Sequence, residues 1–430
     1  MGKADEVVKK ADKHLITSML TKMQPVVIAE AKGAVIKDVN GKEYIDCFAG
    51  ISVVNVGHGQ QEVVDAAIKQ ARKLVHACSY VYYIPPTIKL AEKLAEVTPS
   101  PLQKTFFGNS GAEAVECAIK LARKYTKKSE LIALMCSFHG RTLGTLSITG
   151  QAGRRKYDMG PYVPGVAFTY PPYCYRCPFE QEYPSCDLLC ARTVRDVIEY
   201  VTSKGVAAFI AEPVMGEGGI IPPPPEYFKI VKKILDEYNI LFIADEVQSG
   251  FGRTGKLFAI EHYDVKPDIM TLAKGIADGF PISACTTRPD IGDSFEPGDH
   301  LSTFGGNPVS AAAALANIEV LLRDKLSEKA AEKGRYIMKR LNEMKEDHKI
   351  IGDVRGKGLM IGIELVRDRE RKTPAKDETT KIRDLAREEG LLIGAGGAKG
   401  CTLRLQPPLV IEKEQIDKAL SILERLIKKA

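Results

Sequence analysis

Residues 240–255 read ILFIADEVQSGFGRTG: an unbroken apolar run that ends in two carboxylates and a glycine-punctuated loop. A run that is apolar throughout, without alternation, predicts a strand covered on both faces, as in a parallel sheet between helices. Such a strand delivers Asp245 to the carboxyl edge of the sheet, where open α/β sheets bind ligands. A buried aspartate there can hold a positive charge, for instance a protonated ring nitrogen. The plain alternative is a solvated strand-end acid.

Outward from this run, strands are predicted at Lys104–Phe107, Leu131–Ser137, Val166–Tyr170, Val206–Glu212, Ile240–Asp245 and Asp268–Leu272. Helical patterns lie between several of them, at Gly111–Tyr125, Asp187–Thr202 and Glu226–Glu237. The rhythm predicts an α/β fold around a mostly parallel sheet. Residues 26–48 read as a short meander with a hairpin turn at Asn40-Gly41. Beyond Pro308 come two helices, Ser310–Leu322 and Lys325–Met344, a strand pair at Asp353–Leu365 and Leu391–Leu405, and a last helix Lys413–Lys428. These predict a smaller α+β domain formed by both termini. The expected division is 1–55 for its N-terminal segment, 56–315 for the large domain and 316–430 for its C-terminal part.

With 430 residues, 44% hydrophobic and 27% charged, the chain is globular and large enough for more than one core. The excess of 61 Lys and Arg over 55 Asp and Glu, +6, is spread along the chain. It argues for neither nucleic acid nor membrane as a partner. No apolar run reaches membrane-spanning length, and the first residues alternate charge with Ala and Val, so a cytoplasmic protein is expected.

Three further segments carry chemistry. DIMTLAKGIADGFPIS, residues 268–283, places Lys274 just after a buried strand. Low dielectric there lowers a lysine's pKa, the condition for an amine nucleophile, although Lys-Gly after a strand is more often a solvated turn. FFGNSGAEAVECAIKLARK, residues 106–124, runs a strand into a small-residue turn and a helix. Backbone N–H groups of Ser110, Gly111 and Ala112 would face an anion such as phosphate, or Ser110 is simply an N-cap. CSFHGRTLG, residues 136–144, offers Phe138 to stack on a flat ring, His139 beside it and Arg141 for a carboxylate; core packing is the bland reading. Residues 250–257 nearly spell a phosphate-binding P-loop, but Leu257 lacks the hydroxyl that such a loop supplies to magnesium.

Taken together, these segments resemble class III aminotransferases, pyridoxal-phosphate enzymes of fold type I that include the 4-aminobutyrate, ornithine and acetylornithine aminotransferases. The likeness spans the chain from IDCFAGISVVNVGHG to LRLQPPL. It implies that Lys274 binds the cofactor covalently and moves the proton, and that Asp245 pairs with the pyridinium nitrogen. Val247 and Gln248 match positions behind the ring and at its phenolic oxygen. Ser110, Gly111 and Ala112 match the phosphate cradle, although Ala112 stands where some relatives carry a hydroxyl. Phe138 matches the stacking ring, with His139 beside it, and Glu212 orients this surround. Thr303 matches a threonine that reaches the neighbouring subunit's cofactor, so a homodimer or a dimer of dimers is implied.

On the substrate side, Arg404 matches the arginine that grips the α-carboxylate of 2-oxoglutarate or glutamate. Glu217 matches the glutamate that pairs with it when the amine lacks that carboxylate. Ile51 and Arg141 match positions that pack on 4-aminobutyrate and bind its distal carboxylate; Ile51 rather than Tyr leans away from ornithine. The implied reaction moves an amino group from an ω-amino acid, such as 4-aminobutyrate, to 2-oxoglutarate in a ping-pong cycle. Ornithine or acetylornithine transamination, and racemisation or epimerisation of an amino acid on the same fold, are the alternatives. A third, a non-catalytic protein on a retired scaffold, is opposed by the intact Lys274, Asp245 and Arg404. No residue is assigned to a catalytic metal. Cys174, Cys177, Cys186 and Cys190 could hold structural zinc, form disulfides or stay reduced.

Overall fold

The computed structural model describes residues 3–16, 18, 23–151 and 158–429. β1 (Ile28–Lys32), β2 (Val35–Asp38) and β3 (Glu43–Asp46) form the N-terminal meander. Its predicted turn is present: Gly41 has φ +85°, and the Asp38 carboxylate accepts from the N–H groups of Asn40 and Lys42 at 2.9 and 3.0 Å.

Seven strands build the central sheet: β4 (Lys104–Gly108), β5 (Glu130–Leu134), β6 (Val166–Thr169), β7 (Val206–Ala211), β8 (Leu241–Asp245), β9 (Ile269–Leu272) and β10 (Ser283–Thr287), in the order β4-β10-β9-β8-β7-β5-β6. From β9 through β6 the pairings are parallel; only β10 runs against its neighbours. Side-chain alternation explains the apolar runs. Ile132, Leu134, Phe209, Phe242 and Met270 join one core, with helices Leu189–Tyr200 and Tyr227–Glu237. Leu131, Ala133, Ala208, Ile210, Ile243 and Ile269 join the other, beneath helix Gly111–Thr126.

β11 (Ile351–Lys357), β12 (Met360–Asp368), the short β13 (Thr373–Pro374), β14 (Leu391–Leu392), β15 (Gly394–Gly396) and β16 (Thr402–Leu405) complete the strands. β14 pairs parallel with β3, so the two ends of the chain share one four-stranded sheet. β11-β12-β16-β15 form a separate sheet, with β13 on the flank of β12.

Several predicted elements differ. Leu131–Ser137 ends as a strand at Leu134, because Cys136 turns at φ +65°. Helix Asp187–Thr202 begins only at Leu189, since Asp187 and Leu188 both have positive φ. The predicted pair Asp353–Leu365 and Leu391–Leu405 resolves into a hairpin and three short strands, with helix Lys376–Glu388 between them. Helices Gln61–Lys73 and Pro85–Val97, packed on Pro308–Arg323, and strand β10 have no counterpart in the sequence reading. Among the described residues no helix is long and apolar enough to cross a membrane.

Candidate active site

The carboxyl ends of β4, β5, β7, β8 and β9 open on one cavity of about 610 Å³. Its walls include Ser110, Gly111, Ala112, Phe138, His139, Arg141, Glu212, Asp245, Val247, Gln248 and Lys274, residues the sequence reading singled out. Val53, Asn109, Gly140, Thr142, Ala273 and the segment 279–282 also line it, and sequence reasoning passed over them. Most of these lie inside the stretches quoted for their neighbours: Asn109 in FFGNSG, Val53 in IDCFAGISVVNVGHG, 279–282 just past Lys274. Which members of a loop face inward is a matter of its turns.

Asp245 ends β8 and is 3% exposed. Its Oδ1 accepts from Thr271 Oγ1 at 3.0 Å and from the Val247 N–H at 3.1 Å, while Oδ2 lies 2.7 Å from His139 Nδ1. Thr271 is its register partner on β9. His139 Nε2 is buried without a hydrogen-bond partner. Lys274 follows β9 in a left-handed backbone conformation, φ +47°, which a lysine adopts at a cost of about 1–3 kcal/mol. Burial pushes its ammonium below the ordinary lysine range, against the pull of Glu217, Asp245 and Glu212.

Ser110 caps helix Gly111–Thr126 in a capping box with Glu113. The Ser110 N–H donates to Glu113 Oε2 at 2.9 Å, so its partner here is that carboxylate. Gly111 and Ala112, at the first two helical positions, keep N–H groups that the helix cannot pair. A Cβ on Gly111 would stand 2.8 Å from Val247 Cγ1, so the cradle and the Val247 wall meet without room for a larger residue.

Glu212 Oε1 accepts from the Phe138 N–H at 2.9 Å and Oε2 from the Gly216 N–H at 2.8 Å, tying two loops together by their backbones. Burial pushes its carboxyl up to about 7. Gln248 Oε1 accepts from Gln406 Nε2 at 3.1 Å, and a Cβ on Gly216 would sit 2.0 Å from that same oxygen. Arg141 is exposed, its guanidinium 5.5 Å from the centre of the Phe138 ring.

Beside the cavity, Arg404 and Glu217 form an ion pair through Nη1 and Oε1. Arg404 is 5% exposed, lies 5.5 Å over the Phe48 ring, and buries an unpartnered Nε. Ile51 and Thr303 stand apart from the lining, and both are exposed. Ile51 has φ +71°, strained for a β-branched residue, within a left-handed run from Ala49 to Ser52. Thr303 follows Ser302, whose Oγ accepts from Asn109 Nδ2 at 3.1 Å.

These residues fit pyridoxal phosphate: an amine nucleophile, an acid held from several sides, paired helix N–H groups for a phosphate and an unsatisfied imidazole nitrogen share one cavity of suitable size. The P-loop look-alike at 250–257 lies outside this cavity's lining. Arg253 is fully buried, donating to Asn55 Oδ1 at 2.6 Å, Leu359 O at 3.2 Å and Pro407 O, and locks that loop to the body. Cys174, Cys177, Cys186 and Cys190 surround a small separate cavity as free thiols. Among the described residues no group of three ligand-type side chains is placed to hold a metal ion.

A family described as Aminotransferase class-III matches residues 17–427. The leucine/methionine racemase of Thermococcus litoralis is 45% identical over 98% of this chain and 95% of its own length. The acetylornithine aminotransferase of Methanothermobacter thermautotrophicus is 44% identical, covering 94% of each. A probable 4-aminobutyrate aminotransferase of Bacillus subtilis is 39% identical over 92% of this chain and 91% of its own. The crystal structure of a Bacillus anthracis aminotransferase superposes with a TM-score of 0.94 at 37% identity, covering 100% of both chains. With this fold and this cavity, the chain belongs to the class III aminotransferases, pyridoxal-phosphate-dependent enzymes of fold type I.

Proposed function

We propose that the protein transfers the amino group of an ω-amino acid, 4-aminobutyrate or a close analogue, to 2-oxoglutarate in a ping-pong cycle. The observation that carries this reading is the buried Arg404, paired with Glu217 and keeping Nε unmatched, beside Lys274. A transaminase of this kind handles two substrates in one site, only one of which has a carboxylate next to the reacting carbon. Arg404 grips that carboxylate when it is there, and Glu217 neutralises Arg404 when it is not.

Bound pyridoxal phosphate supplies the electron sink that makes the substrate's C–H bond acidic. Lys274 would hold the cofactor and carry the proton between the carbon atoms, and burial pushes its ammonium below the ordinary lysine range. Asp245, fixed by Thr271 and His139, would face the ring nitrogen. Gly111 and Ala112 would offer N–H groups to the phosphate, Phe138 and Val247 would pack on the ring, Gln248 would serve its phenolic oxygen, and Glu212 holds the surrounding loops. Arg141, at the mouth, receives the donor's distal carboxylate, and Ile51 packs on its chain.

The proposal includes a homodimer or dimer of dimers in which Thr303 completes the partner's phosphate site. The exposed aromatic surface beside it supports this, with Tyr83 96% and Phe304 61% exposed. It includes the division at residues 55 and 315, supported by the sheet that joins both ends of the chain, and a cytoplasmic location.

A second reading, racemisation or epimerisation of a branched or thioether amino acid, is favoured by the likeness to the leucine/methionine racemase. A screen of 4-aminobutyrate, ornithine, acetylornithine, alanine and leucine with 2-oxoglutarate, following glutamate and donor chirality, separates the two. Glutamate from 4-aminobutyrate supports the proposal. Loss of optical activity without glutamate replaces it with the second reading, and glutamate from acetylornithine alone moves the donor to that class.

A further inference from the structure

The turn that carries Glu217 has two of its carbonyls held from outside by a single arginine. Met215 and Ile221 close the turn by exchanging backbone hydrogen bonds of 3.1 and 2.9 Å, which leaves Glu217 near its tip. Arg355, on β11, reaches across and donates from Nε to Ile220 O at 2.8 Å and from Nη2 to Gly219 O at 2.7 Å. Gly218 O accepts from the Ala398 N–H at 2.8 Å, and Glu217 O from Gln151 Nε2 at 3.3 Å. Every carbonyl from 217 to 220 therefore has a donor.

The guanidinium is itself fixed. Nη1 pairs with Asp353 at 2.7 Å, and Nη2 meets Glu364 Oε2 at 2.8 Å and Tyr173 Oη at 2.9 Å. Glu364 is fully buried and is shared with Tyr173 and Arg176, so the charges of the cluster balance. None of these side chains lines the cofactor cavity. Only a planar fork with several N–H groups satisfies adjacent carbonyls and carboxylates at once. A gate that opens by rotating one side chain needs its backbone pinned, because a turn that drifts loses the register with Arg404.

We propose that Arg355 is a positioning residue for substrate selection: by pinning the carbonyls of Gly219 and Ile220 it keeps Glu217 within reach of Arg404, so that the pair closes on a donor lacking an α-carboxylate and opens by side-chain rotation for an acceptor that has one. This rests on the reading of Arg404 as the carboxylate grip.

Arg355→Lys keeps the charge opposite Glu364 and Asp353 but cannot serve both turn carbonyls. With the half-reactions measured separately, KM for 4-aminobutyrate rises about tenfold, the loss expected for charge-assisted hydrogen bonds, while KM for 2-oxoglutarate holds. Hydrogen exchange of the peptide covering 213–222 speeds up, a readout independent of turnover. Added to Glu217→Ala, Arg355→Lys has no further effect on the donor, since both act through one group. Equal losses in both half-reactions, unchanged exchange or additive losses overturn the proposal. Should Arg355→Lys fail to accumulate, Tyr173→Phe loosens the same guanidinium and gives the same split at smaller size, or the proposal fails. A wild-type protein that makes no glutamate sinks the reading of Arg404 instead, and the exchange measurement alone then decides whether Arg355 holds the turn.

Discussion

In the proposed reaction Lys274 is the residue on which the chemistry turns. It occupies a left-handed conformation immediately past a fully buried strand, where desolvation disfavours its charge. Lys274→Ala abolishes turnover and removes the absorbance of covalently held cofactor; a variant that keeps either contradicts its role as nucleophile. That Lys274 and Asp245 reach the cavity was legible because apolar strands announce where they end. The support of Asp245 was not: its contact with His139 joins positions 106 residues apart. That His139 reaches the acid, rather than merely lying beside a ring, depends on how β5 and β8 are ordered in the sheet. The same holds for Gln406 on Gln248, two residues from the Arg404 that the sequence did single out.

At the scale of elements, the strand-to-helix turn 108–112 does two jobs that a sequence reading treats as rivals. Ser110 is an N-cap, while Gly111 and Ala112 line the cavity and are proposed to offer their N–H groups to a phosphate. Gly111 is required by the contact with Val247, and the Cβ of Gly111→Ala overpacks it. The variant should bind pyridoxal phosphate at least about tenfold more weakly in an absorbance titration and, without cofactor, melt a little below the wild type, in line with the usual cost of overpacking, about 1–3 kcal/mol. Unchanged affinity contradicts the placement of the cradle. Strand β10 shows why the sheet was only partly legible. Its sequence SACTT has no apolar run, yet it is fully buried, with Thr286 Oγ1 3.1 Å from Thr105 Oγ1 and Thr287 donating to Asp268 O at 3.0 Å. A buried strand of small and polar residues leaves no apolar pattern to read. The hairpin at Asn40-Gly41 and the long apolar strands, by contrast, are local signals and survive folding almost unchanged.

Over the whole molecule, burial stores unfavourable carboxylates as well as apolar surface. Glu246, fully buried against Ser249 Oγ at 2.6 Å and the Ile260 N–H at 2.7 Å, has its carboxyl pushed up to about 7 by desolvation. A carboxyl whose folded pKa is raised keeps its proton only in the native state between the unfolded and folded values. Its ionisation therefore costs stability as pH rises through that window, and fully so above about 7. Glu246→Gln cannot ionise, so its melting temperature should gain on the wild type between about pH 5 and pH 8. A constant difference between the two proteins contradicts the buried, titrating acid. The α/β class was legible in the order of patterns; the antiparallel β10, the sheet that joins both ends and the split of the C-terminal strands needed the packed molecule. What family membership leaves open is the fate of the substrate's proton, since transaminases and a racemase stand almost equally near in sequence. The most direct measurement mixes the pyridoxal-phosphate-loaded protein with 4-aminobutyrate alone, without acceptor, and counts the oxo product released. Transamination predicts a single burst of one equivalent per subunit that stops until 2-oxoglutarate is added and then yields glutamate. No burst, with L-leucine or L-methionine losing its optical activity in continuous turnover instead, would contradict the account.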